Sequence, residues 1–178
     1  QSNLTDEQKH SIYNQLKEMA TKGNRVLGIG VGISNNETLP ASQDDFKFEF
    51  LGLLSLNDPP KKNIKDVIKS FYDSGIDVKM ITGDYPETAM SIAGQIQLRN
   101  SDHCVSGSEI ADMQDEKLKA ALKTTSVFAR VMPETKLKII NALKEMGEVV
   151  AMTGDGVNDG PALKASHIGI AMGKRGSE

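Results

Sequence analysis

The sequence has no tryptophan, a single cysteine and only 4% aromatic residues. With one cysteine, Cys104, an internal disulfide is impossible, and such a count is typical of proteins from a reducing compartment. The chain contains no apolar run of about 18 residues and no signal peptide, so no segment of it is expected to span a bilayer. The sequence therefore predicts a soluble piece.

The sequence also lacks a large excess of positive or negative residues, since the formal net charge is −3 and no long basic run occurs. This balance gives no indication of binding to nucleic acid or to an anionic membrane surface. The 178 residues, with 38% hydrophobic and 25% charged residues, are enough for one domain, or for one domain with an appendage, around a real core.

The most informative stretch is 149–164, in which a short apolar run gives way to glycines, aspartates and an asparagine before Pro161. This pattern predicts a strand, a loop and a helix. Loops at the carboxyl ends of parallel strands line the ligand crevice, so Asp155 and Asp159 are candidate ligands for Mg²⁺, which prefers carboxylate oxygens. The alternative is that both are turn formers, with Asp159 capping the helix.

Two other segments also place candidate ligand-binding residues between a predicted strand and the first turn of the helix that follows it. Thr82, Gly83 and Asp84 follow the predicted strand 77–81 and precede a helix that begins at Pro86. The Thr82 hydroxyl and the backbone amides there could hold a phosphate at the helix N-terminus. Lys136 lies in the first turn of another predicted helix, where its charge meets the positive end of the helix dipole, which suggests that an anion draws it inward. The alternatives are plain turn chemistry and a solvated surface lysine.

Along the whole chain, predicted strands alternate with predicted helices of about 10 to 15 residues, which favours βαβ units with right-handed crossovers. We expect an α/β fold, a Rossmann-like and mostly parallel sheet flanked by helices, preceded by a helix (4–22) and a β-hairpin (25–33 and 46–56). Two prolines within 57–61 mark a domain boundary. The later predicted elements are helices from 64, 86, 115 and 133, strands at 77–81, 127–130, 149–153 and 168–171, and a less regular segment at 108–111.

Three ordered motifs resemble those of P-type ATPases, the cation pumps that form an aspartyl-phosphate. They lie at 80–84, 128–136 and 152–173. The third differs at Gly160, where alanine is usual, and at His167, where an acidic residue is frequent. The resemblance implies a haloacid dehalogenase-like fold, with residues 1–57 as the C-terminal part of a nucleotide-binding domain and 58–178 as an incomplete phosphorylation domain.

The resemblance also implies roles for particular residues. Asp155 and Asp159 would bind Mg²⁺ with support from Asn158, while Thr82, Gly83 and Lys136 would hold the phosphoryl group of ATP. Asp84 is also expected to be a cofactor-binding residue. Arg25 matches an arginine that reaches the ATP phosphates, and Arg130 matches one near the ribose. Lys61 stands where arginine is usual, and this substitution loses bidentate contact. The residues expected to be catalytic are Thr82, Lys136, Asp155 and Asp159.

The nucleophilic aspartate of these pumps lies in an Asp-Lys-Thr-Gly sequence, which this chain lacks. We therefore expect a fragment that does not phosphorylate itself. Its partners would be ATP and the remaining pump domains: the transmembrane helices, the actuator domain and the rest of the nucleotide-binding domain. The fragment would belong to the cytoplasmic face of a multi-pass membrane protein and would bind no nucleic acid; the transported cation would bind elsewhere.

Two other functions remain open at this point. The chain could be a fragment of a soluble haloacid dehalogenase-like phosphatase, or a non-catalytic nucleotide-binding regulatory module. Sequence upstream of residue 1 distinguishes the first, since a pump requires apolar spans there. Within the pumps, residues 84–87 and 173–178 resemble the calcium-type or related light-cation pumps more than the soft-metal pumps.

Overall fold

The structure is a computed structural model that describes residues 4–33, 42, 45–154 and 157–172. It divides into two compact units, Gln1–Pro59 and Pro60–Glu178. The assignment of the two sides to a nucleotide-binding and a phosphorylation domain remains a prediction. No helix in the described part of the chain has the length and apolar character needed to cross a bilayer.

The first unit consists of a helix and an antiparallel hairpin, as the sequence predicts. Helix α1 (Asp6–Thr21) begins with a capping box between Thr5 and Gln8. Its C-cap, Lys22, is followed by Gly23, whose φ of 83° is accessible to glycine without strain. Strand β1 (Arg25–Ile33) pairs with β2 (Lys47–Leu56), and the register shifts by a bulge at Ile29/Gly30.

The second unit alternates helices and strands and confirms the predicted α/β class. The elements in chain order are α2 (Ile64–Asp73), β3 (Met80–Ile81), α3 (Pro86–Gln95), β4 (Cys104–Ser106), α4 (Gly107–Asp112), α5 (Asp115–Thr124), β5 (Val127–Ala129), α6 (Pro133–Glu145), β6 (Ala151–Gly154), a 3-10 turn (Val157–Asp159), α7 (Gly160–Ala165) and β7 (Ile168–Ala171).

The parallel strands of this unit form two groups rather than the one sheet predicted. One group has the order β3-β5-β4, and the other pairs β6 with β7. Among the described residues, no strand of one group is hydrogen-bonded to a strand of the other. The edge of β3 that faces away from β5 therefore has no strand partner there, and neither has the edge of β6 that faces away from β7. Apart from this break, helices flank parallel strands as expected.

Strand β4 was not predicted from the sequence. It is only three residues long, includes a serine, and follows the polar pair Asp102-His103, so it lacks a recognisable apolar run. The strand predicted at 77–81 is also shorter in the structure, where only Met80 and Ile81 pair with a neighbour.

The core is organised on the two faces of β5, whose residues are all fully buried. Phe128 packs into a cluster with Leu118 and Leu122 of the preceding helix α5 and with Ile139 of the following helix α6. Val127 and Ala129 point to the other face and pack against Ala89 and Ala93 of α3, as the two-residue period of a strand requires. Ile140, adjacent to Ile139 on α6, packs instead with Val150 and Ala162. Helix α6 therefore joins the two groups of strands.

Candidate functional site

The loops that follow β3 and β5 are joined by backbone hydrogen bonds at the carboxyl ends of these parallel strands. The Val131 amide donates to the Thr82 carbonyl over 3.0 Å, and the Arg130 amide donates to the Asp84 carbonyl over 3.1 Å. This pairing holds the Thr82–Asp84 loop beside the segment that leads into α6. The N-terminus of α6 is thereby fixed at the same edge of the sheet.

Lys136 and Asp159 form an ion pair at that edge. The Lys136 amine lies 2.6 Å from Asp159 Oδ1, and the two side chains are 15% and 12% exposed. Lys136 is in the first turn of α6, and Asp159 follows β6, so the pair brings together residues 23 positions apart in sequence. The sequence suggests that an anion attracts Lys136, and the structure shows that the Asp159 carboxylate of the same chain is one such anion.

Asp159 does not cap α7 with its side chain, although it occupies the N-cap position. Its carboxylate is turned towards Lys136, and its side chain lies against Gly154 at the end of β6. A Cβ at Gly154 would lie 2.7 Å from Asp159 Oδ2 and 2.8 Å from Asp159 Cβ. The lack of a side chain at Gly154 is thus what gives Asp159 its room. The turn-forming alternative for Asp159 does not account for this arrangement.

The Thr82 hydroxyl is engaged in a tight turn with Asp84. It accepts a hydrogen bond from the Asp84 amide and donates one to Asp84 Oδ2, both over 3.1 Å. Gly83 lies between them, exposed, and a Cβ there would meet no atom within 4 Å. The loop therefore presents backbone on which no side chain obstructs the approach of a ligand.

Arg130 adopts a left-handed backbone conformation immediately after β5, with φ of 53°. Its guanidinium carbon lies 4.4 Å from the centre of the Tyr85 ring, and one of its nitrogens is 3.5 Å from the Gly83 carbonyl oxygen. The side chain is exposed at the rim of the Thr82–Asp84 loop. Arg130 therefore lies beside Gly83 and Asp84, in the same group of residues as Thr82.

The other residues singled out from the sequence lie in separate segments of the chain. Arg25 begins β1 in the first unit, where its backbone pairs opposite Leu56. Asn158 is exposed in the 3-10 turn next to Asp159, and Lys61 is exposed before α2. Asp155 lies outside the described residues, so its predicted role in binding Mg²⁺ remains a prediction.

Three residues that support the site were not singled out from the sequence: Tyr85, Gly107 and Gly154. A Cβ at Gly107 would lie 2.2 Å from the Arg130 carbonyl oxygen, so this glycine allows the backbone of Arg130 to pack closely. A glycine within or beside a strand is a signal of close backbone approach, and this signal could have identified Gly154, which ends a predicted strand. Gly107 follows β4, which the sequence does not predict, so the signal was not recognisable there. Tyr85 carries no such signal, because its contact with Arg130 depends on the pairing of two loops.

The residues at this edge suit magnesium and a phosphoryl group in their chemistry. Asp159 supplies hard carboxylate oxygens, Lys136 an ammonium, and Gly83 an unobstructed backbone. Within the described ranges, no group of three or more His, Cys, Asp or Glu side chains is arranged to hold a metal. Magnesium often uses only one or two carboxylates together with a substrate phosphate, so the chemistry of Asp159 is compatible with the predicted metal.

Comparison with known proteins gives one family and a consistent set of relatives. Residues 9–167 match the model of the haloacid dehalogenase-like hydrolase family. The chain is 41% identical, over 98% of its length, to Calcium-transporting ATPase 1 of Saccharomyces cerevisiae, of which it covers 19%. It is 39% identical over its whole length to Calcium-transporting ATPase 1 of Schizosaccharomyces pombe, covering 20%. Against Calcium-transporting ATPase type 2C member 2 of Rattus norvegicus the identity is 40% over 98% of the chain, covering 18%. The chain thus spans about one fifth of the length of these relatives.

Proposed function

Because the chain belongs to the haloacid dehalogenase-like hydrolase family, we propose that it is a cytoplasmic fragment of a P-type, ATP-driven cation pump, and that this fragment binds magnesium and the transferred phosphoryl group. The relatives that it matches over nearly its whole length are named as calcium-transporting ATPases, and this favours calcium as the transported cation. The ion itself would be bound in segments outside this chain. ATP and Mg²⁺ are the proposed cofactors.

The observation that carries this proposal is the Lys136–Asp159 pair beside the Thr82–Asp84 loop. Three separate chain segments deliver a hydroxyl, an ammonium and a carboxylate to one end of the parallel strands. An ammonium and open backbone amides stabilise negative charge that develops on a phosphoryl group.

The nucleophile is proposed to reach this site on a strand from elsewhere in the pump, since the chain has no Asp-Lys-Thr-Gly sequence. Such a strand could form hydrogen bonds with the edges of β3 and β6, which have no strand partner among the described residues. Parallel sheets are normally covered on both faces, yet Ile168 and Ile170 of β7 are about half exposed. Val67 and Phe71 of α2 are also exposed, and together these apolar side chains support a contact with a further segment of the same protein.

The roles of the individual residues follow from their chemistry. Asp155 and Asp159 would hold Mg²⁺, which when bound neutralises charge on the phosphate. Lys136 would contact the phosphoryl group, and its ion pair with Asp159 keeps its amine aimed at the strand ends. Thr82 and Gly83 would hold the phosphoryl oxygens through hydroxyl and backbone groups. Asp84 shapes that loop, Asn158 would support the Mg²⁺ ligands, and Arg25 and Arg130 would contribute to nucleotide binding.

The test is phosphorylation of the full-length protein in membranes with ATP labelled in its γ-phosphate. We expect an acid-stable, hydroxylamine-sensitive phosphoprotein that depends on calcium and magnesium. Replacing Asp155 by asparagine should sharply lower its level, because an amide is a weaker ligand for Mg²⁺. The isolated 178 residues should incorporate no label. Labelling of the isolated chain, or normal labelling of Asp155→Asn at ordinary magnesium, would contradict the proposed roles.

A further inference from the structure

Two cations at the carboxyl ends of the strands are held in different ways. Lys136 is paired with a carboxylate, which offsets most of its charge at short range. Arg130 lies over the ring of Tyr85. An aromatic ring fixes a cation through its quadrupole and neither neutralises the charge nor occupies the five N–H donors of the guanidinium. A cation held in this way keeps its capacity to bind an anion.

The backbone of Arg130 is also held in an unfavourable conformation. Left-handed φ is uncommon for residues other than glycine, asparagine and aspartate, and costs about 1 to 2 kcal/mol for other residues. The strained conformation is fixed by the hydrogen bond from the Arg130 amide to the Asp84 carbonyl and by the close fit of the Arg130 carbonyl against Gly107. Strain of this kind persists where the surroundings over-determine it, and it is commonest at functional sites.

From these contacts we infer that Tyr85 is a positioning residue, which holds the guanidinium of Arg130 ready for the polyphosphate or ribose of ATP at the rim of the Thr82–Asp84 loop. The inference rests on the proposed function and adds to it a residue that determines nucleotide affinity. Tyr85 acts through Arg130 and does not itself take part in phosphoryl transfer. Its removal should therefore weaken ATP binding without changing the chemistry.

A second arginine–tyrosine pair in the same unit provides the matched control. The guanidinium carbon of Arg99 lies 4.1 Å from the centre of the Tyr72 ring, and the Arg99 amide donates to the Tyr72 hydroxyl. Tyr72 lies near the end of α2, just before β3 begins, and Arg99 follows α3. This pair is therefore at the amino ends of the strands, away from the loops that would bind ATP.

The experiment measures the ATP dependence of phosphoenzyme formation in the full-length pump. Tyr85→Leu should raise the half-saturating ATP concentration about three-fold, as expected for loss of an exposed cation–π contact. The phosphoenzyme level at saturating ATP should not change, nor should phosphorylation by inorganic phosphate, which involves no nucleotide. Tyr85→Phe should behave as the wild type, because the ring remains. Tyr72→Leu should leave the ATP dependence unchanged.

The double variant decides whether Tyr85 acts through Arg130. In an Arg130→Gln background, Tyr85→Leu should cause no further shift in the ATP dependence. An unchanged ATP dependence in Tyr85→Leu, an equal shift in Tyr85→Phe, or a shift that persists without Arg130 would each overturn the inference while the pump function stands. Absence of any ATP-derived phosphoenzyme in the wild type would instead overturn the proposed function.

If Tyr85→Leu does not reach the membrane, a fluorinated phenylalanine at position 85 keeps the shape of the ring and weakens its quadrupole. The logarithm of the half-saturating ATP concentration should then rise linearly with the number of fluorine atoms. A flat series would overturn the role of Tyr85 as firmly as an unchanged leucine variant.

Discussion

The two ends of the same short strands hold their polar groups in opposite ways. At the carboxyl ends, ionised side chains meet other side chains: Lys136 meets Asp159, and Arg130 lies over Tyr85. At the amino ends, polar groups are tied largely to neutral and backbone partners. The Lys79 amine donates to the Thr125 carbonyl, and the Thr125 hydroxyl is bonded to His103.

Burial differs in its consequences at the two ends. At the amino end, partial burial lowers the pKa of Lys79, and the nearby carboxylates of Asp77 and Glu148 offset this only in part. The lysine there has a carbonyl to satisfy it but no carboxylate within ion-pair distance among the described residues. At the carboxyl end, the mostly buried side chain of Lys136 instead pairs its amine with the carboxylate of Asp159. The amino ends therefore hold polar groups through neutral partners inside the fold, whereas the carboxyl ends hold a charged pair.

Backbone strain follows the same division. Gln97 and Asn100 also have positive φ, but Gln97 follows the C-cap of α3, where the left-handed conformation is common, and asparagine tolerates it well. Arg130, at the carboxyl end, has neither explanation. The one described residue whose left-handed backbone has no local explanation in the sequence therefore lies on the side where the predicted site residues meet.

The largest expected effect is that of Lys136→Met on phosphorylation. We expect the phosphoenzyme level to fall by about 100-fold or more, because a preorganised positive group at the phosphoryl site is lost. The change also leaves Asp159 mostly buried and unpaired, which costs about 3 to 5 kcal/mol in the free energy of unfolding. The double variant Lys136→Met/Asp159→Asn should recover part of that stability but none of the phosphorylation.

The control is Lys138, two residues further along α6. Its amine donates to the carbonyl oxygens of Ile110, Ala111 and Met113. Lys138 therefore caps the C-terminus of α4 and is not directed to the strand ends. Lys138→Met should lower the free energy of unfolding by about 1 to 3 kcal/mol and leave phosphorylation intact. If both lysine variants lost phosphorylation equally, the distinction between the two lysines would be wrong.

A pair of glycines tests the close fit at the carboxyl ends. Gly107→Ala would place a methyl group against the Arg130 carbonyl, and we expect unfolding in urea to show a loss of about 1 to 3 kcal/mol. Gly83→Ala has open space and should change stability by less than about 0.5 kcal/mol. It should nevertheless lower phosphorylation, since the methyl group would obstruct the backbone that faces the phosphoryl group. Normal phosphorylation of Gly83→Ala would exclude that backbone contact.

Thr125→Val tests the amino ends. Thr125 is fully buried, and its hydroxyl is bonded to His103, so the variant should lose about 1 to 2 kcal/mol of unfolding free energy. Phosphoenzyme formation and its ATP dependence should not change. Thr124→Val is the matched control, because the Thr124 hydroxyl is exposed and makes only long contacts of 3.4 Å within its own helix. A loss of phosphorylation in Thr125→Val at full stability would break the proposed division between the two ends.

The smallest effect is expected for Gly160→Ala, at the position where the resembling pumps usually have alanine. A Cβ at Gly160 meets nothing within 4 Å, and the backbone is not left-handed, so the variant should gain about 0.5 kcal/mol. Gly147→Ala is the contrast: it also has open space, but its φ of 84° makes any side chain unfavourable, and stability should fall. Thermal unfolding of the two variants should show shifts of opposite sign.

Much of the fold could be predicted from the sequence because the local signals are strong. Prolines begin α3 and α6 where predicted, and Gly75 and Gly147, both with positive φ, follow α2 and α6. Strand β4 and the division into two groups of strands could not be predicted. The first lacks an apolar run, and the second depends on hydrogen bonding between strands that are distant in the chain.

The sequence by itself determined the α/β class, the helix ends and the loops in which Thr82, Lys136 and Asp159 lie, because these follow from local periodicity, capping and turn chemistry. Only the tertiary structure decided that Lys136 meets Asp159, that Gly154 makes room for that carboxylate, and that Arg130 lies over Tyr85. These contacts join residues brought together when parallel strands align their carboxyl ends, and no spacing along one segment encodes the distance between two loops.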